Sequence, residues 1–318
     1  MNIVILDGFA VNPGDLSWER FNKFGNVIVH AKTPSEEAAE KCIDADIVFT
    51  NRVKLDEDFF QRCRKVKFVS TLGTGFDMID LDACRKRDIC VCNIPAYSTA
   101  SVAQLAFTLI LNLVTDMNGF QKIVKDGLWT GVPGFQYQKT RFIELMDLKL
   151  GLIGCGNIGK AVAEMGKAFG MKIIATSKTK QSGIHDGIQF DTFENVLAQS
   201  DIISVHCPLN DETRGLINKT AIDMMKDGVI LVNTSRGAVL NENDVRAAVL
   251  SGKISGLGVD VLSIEPPMND HPFFDIPNTI ITPHAAWTTK AARLRLLDIL
   301  EENVDSFCKT GRGINIII

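Results

Sequence analysis

The glycines at Gly154-x-Gly156-x-x-Gly159 are the first residues whose spacing points to a chemistry. An apolar run, Leu148–Ile153, precedes them, and Lys160-Ala161-Val162-Ala163-Glu164-Met165 follows with helical character. In that strand–turn–helix setting each glycine has a physical task. Gly154 permits a tight turn, Gly156 lets a pyrophosphate approach the backbone, and Gly159 allows close helix–strand packing. The helix N-terminus offers unpaired N–H groups and a positive dipole end to the phosphates. The stretch is read as a dinucleotide site, the alternative being a structural glycine turn.

In α/β sheets ligands bind beyond the carboxyl ends of the strands. The residues just past each later apolar run are therefore Thr176-Ser177-Lys178, His206-Cys207-Pro208, Asn233-Thr234-Ser235-Arg236, Asp260 and Pro283-His284, with Glu265 in the loop after Asp260. An arginine, a carboxylate and a histidine on one rim suit hydride transfer to a 2-keto acid. The Arg236 guanidinium is a rigid fork of donors that fits a carboxylate and polarises a neighbouring carbonyl oxygen. An imidazole can exchange a proton at working pH, so His284 is the natural proton donor to that oxygen. Glu265, hydrogen-bonded to the other ring nitrogen, would fix the tautomer and favour imidazolium. Asp260 is expected to face the cofactor and accept from its carboxamide. The structural alternatives are a surface salt bridge for Arg236, a solvated loop for Glu265 and a core histidine for His284. His206 is read as structural because Cys207-Pro208 continues past it; His30, His185 and His271 lie outside the rim.

These residues need strands to carry them. Asn2–Leu6, Val27–His30, Asp46–Thr50, Val66–Leu72 and Ile89–Asn93 read as strands, with helices at Ser35–Ile43, Asp56–Arg64 and Leu81–Arg87 between them. The pattern breaks at Pro95-Ala96-Tyr97-Ser98-Thr99. A long helix, Ser101–Val114, follows and is expected to continue past its end, then a loop at Gly127–Gly134. The second series of strands is Lys149–Ile153, Lys172–Thr176, Ile202–His206, Val229–Asn233, Gly258–Val261 and Thr279–Thr282. Its helices are Ile158–Phe169, Thr192–Gln199, Lys219–Met225 and Glu242–Leu250, and Thr289–Phe307 closes the chain. The apolar tail Ile314–Ile318 is expected to pack on the protein. Alternating strands and helices define the fold class as α/β: two doubly wound, parallel-sheet, Rossmann-like domains with a cleft between them.

Composition narrows the function. At 318 residues two domains are expected. A net charge of −4 gives no footprint for nucleic acid. The longest apolar stretch, around Val102–Val114, carries Gln104, Thr108 and Asn112 and is too short and polar for a membrane span. The eight cysteines form no zinc pattern, no metal is expected, and free buried thiols in a reducing cytoplasm are the simplest reading. Met1-Asn2-Ile3-Val4-Ile5-Leu6-Asp7 reads as a strand, not a signal peptide.

With these motifs in order, the chain resembles the D-isomer-specific 2-hydroxyacid dehydrogenase family over nearly all its length. The carrying segments are Gly154–Gly159, His206-Cys-Pro-Leu-Asn-Asp-Glu-Thr-Arg-Gly215, Val232-Asn-Thr-Ser-Arg-Gly237, Gly258-Val-Asp-Val-Leu262 with Glu265-Pro266, and Thr282-Pro-His-Ala-Ala286. The resemblance implies a catalytic trio of Arg236, Glu265 and His284, and a substrate domain split as 1–98 plus 287–318 with a flavodoxin-like sheet. It implies a dinucleotide-binding domain over 99–286 and a homodimer joined through it. Thr74 and Gly75 would hold the substrate carboxylate, with Arg236 and His284 also touching substrate. Gly154, Gly156, Asn157, Ile158, Gly159, Ser177, Lys178, Cys207, Pro208, Thr213, Thr234, Ser235 and Asp260 would line the cofactor, with Val102 on the hinge helix. Asn93–Gln104 and Trp287 are similar to the glycerate dehydrogenase, or hydroxypyruvate reductase, branch, which implies hydroxypyruvate or glyoxylate as substrate. Glu265 argues against the formate dehydrogenase branch, which carries glutamine there.

One position departs from the dinucleotide pattern. An acid is expected about 20 residues after the first glycine, to hold the ribose 2′-OH of NAD. The second strand instead ends Ala175-Thr176-Ser177-Lys178-Thr179-Lys180, with no acid until Asp186. Ser177 removes repulsion against a 2′-phosphate and Lys178 and Lys180 attract it. NAD or NADP is therefore expected, with a lean towards NADP being accepted. The competing functions are a D-lactate or bulkier-acid dehydrogenase, and a non-catalytic NAD(P)H sensor.

Overall fold

A computed structural model describes residues 1–130, 141–178 and 180–318. The sequence-predicted loop at Gly127–Gly134 therefore lies partly outside the described residues, as does Thr179. The chain divides into two units, Met1–Ser98 with Thr288–Ile318, and Thr99–Trp287.

The first unit carries five parallel strands: β1 (Asn2–Ile5), β2 (Asn26–Val29), β3 (Ile47–Thr50), β4 (Phe68–Thr71) and β5 (Cys90–Cys92). Their spatial order is β2-β1-β3-β4-β5, the flavodoxin-like order. β3 and β4 are buried along their whole length, as expected of apolar strands covered on both faces. Short helices α1 (Gly8–Val11), α2 (Ala38–Lys41), α3 (Glu57–Arg62) and α4 (Leu81–Arg85) connect them. Asp56 and Asp80 cap α3 and α4 by accepting from Phe59 and Ala83 amides. The chain's last segment returns to this unit. Ile317 donates to the Val91 carbonyl and Val91 to that of Ile318, so the apolar tail is pinned beside β5.

The second unit begins with α5 (Thr99–Thr115). The sequence predicts that this helix runs on. It stops instead at Asp116, whose φ of 42° is left-handed, and α6 (Met117–Lys125) restarts at 52° to it with the Asp116 carboxylate as its cap. No single helix among the described residues is long and apolar enough to cross a membrane. Strands β6 (Lys149–Ile153), β7 (Lys172–Thr176), β8 (Gly183–His185), β9 (Ile188–Phe190), β10 (Ile202–Val205), β11 (Val229–Asn233), β12 (Ile254–Val259) and β13 (Thr279–Ile281) form one sheet, ordered β13-β12-β11-β10-β6-β7-β9-β8. Among the described residues of this sheet only β8 runs antiparallel. Helices α7 (Asn157–Ala168), α8 (Phe193–Gln199), α9 (Lys219–Met224) and α10 (Glu242–Leu250) flank the sheet, and α11 (Lys290–Thr310) belongs to the first unit. Strand order reverses at β6 and β10, where this architecture places its ligand crevice. The segments after β6, β10, β11, β12 and β13 therefore emerge along one edge of this sheet.

Candidate active site

The turn after β6 has the geometry that its glycines require. Gly154 adopts φ 92°, and a Cβ there would stand 2.7 Å from the Cys207 amide nitrogen. A Cβ at Gly159 would stand 2.5 Å from the Gly154 carbonyl oxygen. At Gly156 the same atom meets nothing within 4 Å, so open space lies over this residue. No side chain caps α7, which starts at Asn157-Ile158. A helix start without a side-chain cap can offer its first N–H groups to an anion. The Thr234 hydroxyl just past β11 is buried and lacks a hydrogen-bond partner among the described residues. An open glycine cradle, an uncapped helix start and an orphaned hydroxyl on the same sheet edge fit a dinucleotide.

The residues after β11 are set by Asn233, which is fully buried. Its Oδ1 accepts from the Ser235 amide (3.0 Å) and hydroxyl (2.9 Å), and its Nδ2 donates to the Arg236 carbonyl (2.9 Å). This side-chain turn holds Arg236 at the strand end, half-buried, with one guanidinium N–H donating to the Ser235 carbonyl at 2.9 Å. Asn233 is thus a positioning residue that the sequence reading placed on the rim without a role. Its signal was the Asn-x-Ser pattern of an Asx turn.

Glu265 and His284 meet across nineteen residues of chain, with His284 Nδ1 2.6 Å from Glu265 Oε2. Both are largely shielded, His284 at 27% and Glu265 at 21% side-chain exposure. Glu265 Oε1 accepts from the Leu262 amide at 3.0 Å, so both carboxylate oxygens are directed. A carboxylate at Nδ1 fixes the proton on that nitrogen and presents Nε2 to a reactant. His284 has φ 53°, a left-handed conformation that costs a non-glycine residue about 1–2 kcal/mol.

Asp260 offsets that strain. Its carbonyl accepts the His284 amide at 2.8 Å, while its carboxylate accepts from Thr282 Oγ1 (2.5 Å) and the Ala285 and Ala286 amides (2.8 and 2.9 Å). The sequence reading gives this carboxylate to a carboxamide; in the structure the His284 loop takes it first, and a ligand donor would share it. Asp260 is only 1% exposed, and burial raises its carboxyl above the ordinary range.

The remaining expected residues divide by position. Cys207 is buried, which pushes its thiol up to about 11, and Pro208 is exposed. Thr213 spends its hydroxyl on the Pro208 carbonyl (2.6 Å), closing that loop. Ser177 is half-buried past β7, and Lys178 is paired with Glu212. Lys180 stands over the Phe190 ring. Val102 is buried in α5. Thr74 and Gly75 belong to the first unit, after β4, where Thr74 Oγ1 donates to the Ile94 carbonyl at 2.8 Å.

His206 has no place in this chemistry. Burial pushes its imidazole down to about 4, and Nε2 lies 2.9 Å from Ser204 Oγ. The folded protein therefore holds the neutral ring while the unfolded chain takes a proton below about 6.5. Stability from this group is present above that pH and is lost as pH falls towards 4. Between pH 6.5 and 4.5 the loss is about 2 kcal/mol at 1.36 kcal/mol per unit. Urea unfolding of the wild type and His206→Gln at the two pH values checks this; the variant is expected to lose that much less.

A parallel sheet whose switch point carries a glycine cradle, with an arginine and a carboxylate–histidine pair along the same edge, defines a nucleotide-dependent oxidoreductase. The family model for the D-isomer specific 2-hydroxyacid dehydrogenase NAD-binding domain matches residues 107–286. A hydroxypyruvate reductase from Blautia hydrogenotrophica is 39% identical over 100% of this chain and 99% of its own. An acyclic imino acid reductase solved with NADPH and D-Arg superposes with a TM-score of 0.89 at 29% identity, covering 100% of both chains. A D-lactate dehydrogenase from Aquifex aeolicus, solved with NAD and lactic acid, gives a TM-score of 0.86 at 31% identity over 99% of each chain. The chain belongs to the D-isomer specific 2-hydroxyacid dehydrogenase family, oxidoreductases that act on CH–OH donors with NAD. The sensor alternative gives way to an enzyme.

Proposed function

We propose that this enzyme reduces a small 2-keto acid, hydroxypyruvate or glyoxylate, to the D-2-hydroxy acid with NADH or NADPH. The Glu265–His284 pair carries the reading, because a fixed imidazole tautomer is what protonation of a carbonyl oxygen requires. Arg236 binds the substrate carboxylate and polarises the keto oxygen. His284 Nε2 gives its proton to that oxygen, and Glu265 stabilises the imidazolium before the transfer and holds the ring afterwards. A bound nicotinamide supplies the hydride to the keto carbon. Gly154, Gly156, Asn157, Ile158 and Gly159 would hold its pyrophosphate, with Cys207, Pro208, Thr213, Thr234, Ser235 and Asp260 along the same edge. The similarity to the Blautia hydroxypyruvate reductase favours hydroxypyruvate. The Aquifex enzyme, solved with lactic acid, keeps D-lactate as a second reading. Replacing Arg236 with alanine is expected to raise the keto-acid KM at least about 10-fold and to lower kcat as well. Steady-state kinetics at saturating cofactor check it, and an unchanged KM would remove Arg236 from the substrate.

We place NADP among the accepted cofactors because Ser177, not an acid, follows β7, with Lys178 beside it. Ser177→Asp is expected to cut kcat/KM for NADPH about 10- to 100-fold through like-charge repulsion while sparing NADH. A strong NADH preference in the wild type that this variant leaves unchanged would defeat the assignment.

The homodimer joined through this unit is supported by an apolar surface at α6. Met117, Val124, Leu128 and Trp129 are exposed there, and Phe142, 75% exposed, meets Phe120 edge-on. Exposed apolar side chains gathered along one stretch of chain are a feature of interfaces. Sedimentation is expected to give twice the 34.9 kDa chain mass. All eight cysteines are free thiols, which supports the reducing cytoplasm as the place of action.

A further inference from the structure

A second carboxylate–histidine pair lies behind the first. Glu242 opens α10, and its Oε2 is 3.2 Å from His271 Nε2. His271 is buried, and its Nδ1 accepts the Phe273 amide at 3.2 Å, which leaves the ring proton to Nε2; that nitrogen stands close to Glu242 but makes no hydrogen bond among the described residues. Phe273 and Phe274 flank the ring, each 5.3 Å away between centroids. The other oxygen of Glu242 accepts the Ser263 amide at 2.8 Å. The preceding amide, Leu262, is the one that donates to Glu265. Two successive N–H groups thus donate to two carboxylates, one of them the partner of His284. The peptide between Leu262 and Ser263 is also pressed from another side. A Cβ at Gly237, the residue after Arg236, would lie 1.9 Å from the Leu262 carbonyl carbon.

We propose that Glu242, packed beside His271, is a positioning residue that clamps the Leu262–Ser263 peptide through the Ser263 amide and so sets Glu265 against His284. This rests on the reading of Glu265 and His284 as the acid–base pair. Losing the clamp lets the segment shift by a fraction of an ångström, and misplacement on that scale is costly in an active site. Glu242→Ala is expected to lower kcat about 10- to 100-fold with little change in the keto-acid KM. Glu242→Gln keeps an acceptor for the Ser263 amide and is expected to retain most of kcat. In a Glu265→Gln background, Glu242→Ala is expected to change kcat less than about 2-fold, since its effect passes through the group already removed.

Cofactor binding and thermal unfolding confirm that each variant is folded. Proton NMR gives a readout independent of turnover. The Glu265–His284 bond is expected to show a far-downfield Nδ1 proton that His284→Ala abolishes and Glu242→Ala broadens or shifts. Additive losses in the double variant, equal impairment by Gln and Ala, or an unmoved downfield proton in Glu242→Ala would each overturn the clamp. A wild type inert towards every 2-keto acid would instead overturn the functional reading, leaving the NMR test of the clamp in force.

Discussion

His284→Ala is expected to cost about 10²- to 10⁴-fold in kcat, the range for loss of a general acid. Neither charged neighbour replaces the proton at that point. Arg236 is a permanent cation that donates hydrogen bonds but not protons, and Glu265 is directed at His284 Nδ1 and the Leu262 amide. The fold should survive, because the loop is held by its backbone: the Asp260 carboxylate accepts the Ala285 and Ala286 amides whether or not the ring is present. Alanine at φ 53° retains the left-handed strain of about 1–2 kcal/mol. Cofactor affinity is expected to change little. The combination to seek is kcat collapsed, nucleotide binding retained and the unfolding transition within a few degrees of wild type. His284→Ala with full turnover would end the mechanism.

The second large effect is expected at Gly156. The position has ordinary backbone geometry, with φ −80°, and its Cβ direction is open. Gly156→Asp should therefore fold almost as well as the wild type, yet it sets a carboxylate at the proposed pyrophosphate site. Like charges brought together in this way cost several kcal/mol, so cofactor affinity is expected to fall at least about 100-fold. Titration of the reduced cofactor by fluorescence, beside a thermal melt, separates lost binding from lost fold. Cofactor bound at wild-type affinity would place the phosphates elsewhere. Gly154→Asp is the contrasting case, because φ 92° and the Cys207 backbone at 2.7 Å obstruct any side chain there even without ligand.

These two sites were legible because short-range rules govern them. The glycine turn is a strand–turn–helix pattern within a dozen residues, and Arg236 and His284 stand just past apolar runs whose burial is set by composition. The hairpin of β8 and β9 was not read, although its signal is present. Asp186 and Gly187 both have positive φ, the two-residue turn that Asp-Gly favours, but three-residue strands offer too little alternation to identify. The break at Asp116 was missed because helix propensity is continuous across it, and one left-handed residue supplies both the stop and the next cap. Asp260 and Glu242 show a different limit. Their partners lie on segments some 20 to 29 residues away, and only the tertiary fold brings them together. A pattern of residue types names the carboxylates but not which amides they accept.

The most direct test is a matrix of 2-keto acids against NADH and NADPH, read as loss of absorbance of the reduced cofactor. The site predicts turnover, with hydroxypyruvate or glyoxylate the best substrate, the D-enantiomer as product, and the rate lost in His284→Ala. No oxidation of either cofactor by any 2-keto acid, or an undiminished rate in His284→Ala, would contradict it.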